Sequence, residues 1–237
     1  MPTPSAVLAA MLRSDPGRPR LTFYDDTPGP TAGERLELSA KVLANWVNKA
    51  ANALQDEWDL GPGTRVRLAL PPHWRTLYWA LAVWSVGATV VLDDSEHDLL
   101  VTDDPQLAGT DTPAVLVTLA ALARAAGTAA APGVMDEARE LATFGDQFAA
   151  WEEPSDDDPA LSVDGTETAY RSVVPQENWA VGARVHSTAT TAAAALRDAL
   201  AAWAVDGSLV LSRGPEPAAG RGRRVETEGV TAEARQG

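Results

Sequence analysis

Leu60-Gly-Pro-Gly-Thr-Arg-Val-Arg-Leu-Ala-Leu-Pro-Pro-His-Trp-Arg-Thr-Leu-Tyr-Trp-Ala-Leu-Ala-Val-Trp-Ser-Val-Gly-Ala-Thr-Val-Val-Leu92 decides the fold of this 237-residue chain. Gly61, Pro62 and Gly63 carry turn chemistry, and Val66, Leu68 and Leu70 alternate with polar or smaller residues as in a half-buried strand. Pro71 and Pro72 end the ladder and are tolerated at a helix start. From Trp74 to Val86 apolar residues cover nearly every side, which predicts a helix buried on more than one face. Gly87 is placed to end it, and Thr89 to Leu92 is β-branched and apolar enough for a central parallel strand. Strand, helix and strand within this span form a βαβ unit, so the class is α/β, a layered sheet with flanking helices.

Upstream, Ser39 is suited to N-cap a helix whose apolar residues Val42, Leu43, Trp46, Val47, Ala50 and Leu54 recur at helical spacing. Before it, Leu21 to Tyr24 and Arg35 to Leu38 read as a β-hairpin, and Pro4 to Arg13 as a short first helix. Downstream, strands are expected at Leu99–Val101, Val115–Leu119, Leu161–Val163 and Ser208–Leu211. Helices are expected over Glu137–Phe148, Pro175–Val185 and Thr191–Val205, while the Ala-rich run Leu119–Ala131 suits a helix or a loose loop. From Gly214 onward Val225 and Val230 are the only aliphatic residues larger than alanine, so 213–237 is expected to be a disordered tail.

Net charge is −14, from 33 acidic and 19 basic residues, a field that repels nucleic acid and anionic membrane. The absence of cysteine excludes disulfides, thiol catalysis and cysteine-ligated zinc. The chain lacks both a long apolar run and the pattern of a secretory signal, and a soluble cytoplasmic protein is expected. Paired aspartates at Asp103-Asp104 and Asp156–Asp158 lack calcium-loop spacing, and His73, His97 and His186 are isolated, so no metal site is expected. Neither Gly-x-Ser-x-Gly nor Gly-x-Gly-x-x-Gly stands at a strand-to-helix turn.

The central stretch resembles the N-terminal part of the adenylate-forming superfamily of acyl-CoA synthetases, peptide synthetase adenylation domains and luciferases. Pro62-Gly63-Thr64-Arg65-Val66 stands where that family has a Pro-Gly-Asp-Arg-Val turn and strand, and Gly87-Ala88-Thr89-Val90-Val91 where it has Gly-Ala-Val-Val. The resemblance covers most of residues 1–212, rests on scaffold motifs, and points to a short actinobacterial branch. It implies that 1–212 is a truncated N-terminal α/β domain.

In that family a loop of the form Thr-Ser-Gly-Thr-Thr-Gly-x-Pro-Lys-Gly-Val-Val holds the ATP phosphates. The corresponding stretch is Val163-Asp164-Gly165-Thr166-Glu167-Thr168-Ala169-Tyr170-Arg171-Ser172-Val173-Val174. Gly165 and Thr166 are in register and Arg171 replaces the lysine, which makes these three the candidate cofactor-binding residues. Asp164 and Glu167 replace hydroxyl residues, and a carboxylate 4 Å from a phosphate is repelled by about 4 kcal/mol at an effective dielectric of 20. Thr168 replaces a glycine, and Tyr170 brings bulk to the proline position. Lys41 and Lys49 are the only lysines, so the resemblance leaves no catalytic lysine, and neither catalytic residues nor a resident cofactor is expected. Three functions follow as alternatives: an interaction or regulatory protein with a protein partner or a second copy, a small-molecule binder keeping part of an acyl or nucleotide pocket, or an enzyme of unrelated chemistry or half of a split adenylating enzyme.

Overall fold

The computed structural model describes residues 2–109, 113–215 and 218–235. The chain opens with α1 (Pro4–Ser14), β1 (Pro19–Asp25), β2 (Arg35–Ser39) and α2 (Ala40–Trp58). It continues through β3 (Arg65–Ala69), α3 (Trp74–Ser85), β4 (Thr89–Val91), β5 (Leu99–Thr102), α4 (Pro105–Ala108), β6 (Ala114–Leu116) and β7 (Val134–Asp136). After α5 (Glu137–Glu140) and a single 3₁₀ turn come β8 (Pro159–Val163), β9 (Thr166–Ala169), β10 (Arg184–Ser187), α6 (Ala192–Ala204) and β11 (Ser208–Arg213). The last elements are α7 (Ala218–Thr227) and β12 (Ala232–Glu233). Two compact units result, the first from Met1–Leu43, Pro71–Leu77 and Val174–Gly237, the second from Ala44–Leu70 and Tyr78–Val173.

The second unit holds a sheet of order β7-β6-β5-β3-β4-β8-β9, parallel except for the β8–β9 hairpin. β3 and β4 pair in parallel at its centre, as the βαβ reading requires. Every residue from Tyr78 to Trp84 is buried, and each large apolar side chain so covered contributes about 1.5–3 kcal/mol. Trp84 donates its indole N–H to the Ala160 carbonyl at 2.7 Å, and Thr89 bonds the Pro159 carbonyl at 2.7 Å, which ties α3 and β4 to the start of β8. The end of α3 is set by Gly87 at φ 85°, where an added Cβ would lie 2.9 Å from the Pro62 ring.

The first unit carries the order β12-β10-β11-β1-β2, parallel except for the β1–β2 hairpin. α6 packs on β11 and α1, burying Leu196, Leu200 and Trp203. The turn from α6 to β11 is held from below by fully buried Arg20, which donates to the Asp206 carbonyl at 2.6 Å and reaches the Asp206 carboxylate at 2.6 Å. Burial alone would raise the Asp206 pKa, but bonds from Ser14 and Arg20 and the charges of Arg20 and Arg18 hold it below its usual range.

Three expectations are corrected. The segment Glu137–Phe148 turns helical only to Thr143, because side chains of α2 take its backbone instead: Lys49 bonds the carbonyls of Ala142 and Phe144, Asn48 that of Asp146, and Asn52 those of Gly145 and Gln147. Residues 175–183 are irregular and 184–187 form β10, whose apolar signal is masked by buried His186 and Ser187. Beyond Gly214 the described residues form α7 and β12 where disorder was expected, with charge substituting for apolar area. Glu228 there accepts from Tyr24, from Arg35 at 3.0 Å and from Arg184 at 2.5 Å, while Arg224 bonds Asp26 at 2.7 Å and lies 3.9 Å from the centre of the Tyr24 ring. The Ala-rich run Leu119–Ala131 is a loop of turns.

Candidate functional site

The stretch carrying Gly165, Thr166 and Arg171 is the β8–β9 hairpin and the residues just after it. Its two-residue turn is Asp164-Gly165, with φ of 49° and 74°, the pair of positive values a type I′ hairpin requires. On either side the backbone enters an antiparallel ladder, Val163 facing Thr166 and Ser162 facing Glu167. A tight turn of this kind has no run of free amides with which to wrap a phosphate.

What remains is occupied from within. The Gly165 amide donates to Asp93 Oδ2 at 3.1 Å. The Ser95 side chain and backbone, followed by the Gly165 amide, hold the Asp93 carboxyl below its usual range. The protein's own carboxylate thus takes the turn amide that an incoming anion would need. Arg171 pairs with Asp157, and its backbone N–H is taken by the Asp156 carbonyl at 3.1 Å. Thr166 is exposed at the start of β9, and Glu167 beside it binds Arg65 at 2.7 Å. Tyr170 turns inward, only 1% exposed, and donates to the Ala88 carbonyl at 2.8 Å, with its pKa pushed up first by burial and then by Asp158. The structure therefore places Gly165 and Thr166 on the hairpin and Arg171 just beyond it, each facing protein or solvent.

The isolated histidines gather no chemistry. His73 is fully buried against Phe23, its Nε2 has no hydrogen-bond partner, and burial followed by the charges of Arg75 and Arg213 pulls its pKa well below the usual value. His186 Nε2 lies 2.9 Å from Ser212 Oγ, but both residues are 2% exposed and Arg224 also donates to that hydroxyl at 2.8 Å. A nucleophile so enclosed cannot meet a substrate. Among the described residues no group of three His, Asp or Glu side chains could hold a metal ion. No helix among them is long and apolar enough to cross a membrane.

A cavity of about 500 Å³ opens in the first unit where β10 passes into α6, at the carboxyl end of a parallel strand. Its wall is the run Ser187-Thr188-Ala189-Thr190-Thr191 together with Arg197 and Arg235. Thr191 caps α6 by accepting from the Ala194 amide at 3.2 Å. Below it, nearly buried Asp198 accepts from Ser187 at 2.7 Å and from Arg197 at 3.1 Å, and Arg197 also reaches the Arg235 carbonyl at 3.4 Å. The site offers hydroxyls, methyl groups, two arginines and the Asp198 carboxylate, which suits a small polar ligand. Sequence reading passed over these residues; a run of five small residues, four of them hydroxylated, between a strand and a helix is the signal that could have found them.

No protein-family model matches the chain. It is 36% identical to the TIGR03089 family protein of Mycobacterium tuberculosis across 241 residues, covering 95% of each. Among solved structures it is similar to the Brucella canis acyl-CoA synthetase at a TM-score of 0.74 and 17% identity, over 98% of this chain and 46% of that one. It also resembles Klebsiella oxytoca NpsA in complex with 3-hydroxyanthranilyl-AMSN, at a TM-score of 0.69 and 16% identity, over 98% and 47%. The N-terminal domain of FACL13 from Mycobacterium tuberculosis matches at a TM-score of 0.65 and 14% identity, over 89% and 57%. The fold is that of the N-terminal lobe of adenylate-forming enzymes, and the chain spans about half the length of the first two solved relatives.

Proposed function

The chain belongs to the TIGR03089 family, and from that premise we propose that it is a non-catalytic relative of the adenylate-forming N-terminal lobe, acting as an interaction or regulatory protein. The observation that carries this reading is the Asp93 carboxylate bonded to the Gly165 amide, with Arg171 turned to Asp157. A triphosphate approaching the hairpin would have to displace one carboxylate and face exposed Asp164 as well, a charge that opposes it by about 4 kcal/mol at 4 Å and an effective dielectric of 20. Lys49, one of two lysines in the sequence, is held by two carbonyls and Asp146. ATP–pyrophosphate exchange by the full chain tests the catalytic half of the proposal: no exchange with any carboxylic acid offered is expected, and exchange above a protein-free control refutes it. Light scattering after size exclusion tests the other half, with a dimer or larger species expected and a strict monomer counting against self-association.

The cavity beside Ser187 and Arg197 favours a second reading, a binder of acyl groups or adenine nucleotides without turnover. Thermal shift with ATP, AMP, acyl-CoA and 3-hydroxyanthranilate separates the two: stabilisation that Arg197→Ala abolishes supports the binder, and none at millimolar ligand removes it.

A further inference from the structure

A second cavity, of about 440 Å³, lies in the second unit at the C-terminal end of α2, away from the hairpin and the β10–α6 opening in sequence and lining. Trp58, Met135, Phe144 and Val134 form its apolar wall, and Glu57 and Glu140 its charged one. The half-buried rings of Trp58 and Phe144 come from two segments brought together by the α2 side chains that bind the backbone after α5.

The end of α2 is electrostatically unbalanced. A 19-residue helix presents partial negative charge at its C-terminus, where lysine or arginine is the stabilising choice. Here the last turn has no basic residue and instead holds Asp56 and Glu57, with Asp59 immediately after at φ 52°. Among the described residues, none of these three carboxylates makes an ion pair or a side-chain hydrogen bond; of the three only Glu57 lines the cavity, where Glu140 stands with it. Glu140 accepts from the Asp136 amide at 2.9 Å, which uses one of its oxygens. Lys49, further back on α2, is paired with Asp146 at 2.8 Å, and exposed Arg139 pairs with none of these acids. Local rules broken without internal compensation mark functional places.

We propose that this cavity binds a small organic cation, an alkylammonium ion whose apolar body lies on Trp58, Phe144 and Met135 while its charge faces Glu57 and Glu140. Aromatic faces attract such cations through their quadrupole, and the carboxylates and helix end add to the same field. A hard metal ion is disfavoured, because no group of three acidic or histidine ligands is assembled among the described residues.

The test is a titration of the full chain with choline and with butylammonium, followed through the indole N–H of Trp58 in ¹H–¹⁵N spectra, assigned with Trp58→Phe. A saturable shift with at least one cation is expected, and 3,3-dimethylbutan-1-ol, the uncharged isostere of choline, should bind at least about tenfold more weakly than choline. The double variant Glu57→Gln/Glu140→Gln keeps volume and the acceptor for Asp136, and should weaken the cation by about tenfold or more. Glu167→Gln, outside the cavity, should leave it unchanged. No shift with either cation, equal affinity for the neutral isostere, or undiminished binding by the double variant overturns the proposal. The isostere comparison needs only the natural chain, so it decides even if a variant folds poorly.

Discussion

Glu228 shows how single residues hold a segment that composition alone would leave loose. Burial would push its carboxyl up, but bonds from Tyr24, Arg184 and Arg35 outweigh that and hold it below its ordinary 4.5. A carboxyl depressed in the folded state contributes stability that is complete above the unfolded value and is lost as pH falls through the folded one. The melting temperature should therefore fall more steeply below pH 4.5 in the natural chain than in Glu228→Gln, which should itself cost about 1–3 kcal/mol at neutral pH. Parallel acid limbs in a pH series of thermal melts would contradict the assignment. At Trp84, replacement by phenylalanine leaves the buried Ala160 carbonyl without its 2.7 Å donor, and urea unfolding should register a loss of about 1–3 kcal/mol.

Among the elements, the βαβ centre was the most legible part of the sequence, because there local signals and tertiary structure agree. Val66 and Leu68 face inward, α3 is apolar on nearly every side, and Gly87 adopts the positive φ that its position after the helix demands. Gly87→Ala should be destabilising by more than about 1 kcal/mol, since a strained backbone is compounded by contact with Pro62, and a shift in urea midpoint without change in slope would measure it. Elements defined by distant partners were not legible. The helical spacing of Leu141, Phe144 and Phe148 is real, but Lys49, Asn48 and Asn52 bind that backbone from nearly a hundred residues away. β10 is four residues of mixed polarity whose burial comes from β11 on one side and β12 on the other. The hairpin was half legible: Asp-Gly at 164–165 is a dipeptide that favours a two-residue turn, while the roles of Asp93 and Asp157 depend on chain folding that no local pattern reveals.

At the scale of the molecule, the C-terminal residues are structural. They supply the β12 edge strand, the Arg224 and Glu228 clamps, and Arg235 at the mouth of the β10–α6 cavity. A chain ending at Arg213 should melt several degrees lower than the full chain, by roughly 2–4 °C for each kcal/mol lost. An unchanged melting temperature would return the segment to the status of a dispensable tail. Added salt should lessen the effect, because the charged contacts at the surface are screened.

The proposed non-catalytic role rests on the hairpin that resembles a phosphate loop being filled by the protein's own carboxylates. Its most direct measurement is the backbone amide of Gly165 in ¹H–¹⁵N spectra during titration with magnesium ATP. This resonance, bonded to Asp93, is expected to stay in place through millimolar nucleotide. A saturable movement of Gly165 together with Thr166 would mean that phosphate displaces the carboxylate, and would contradict it.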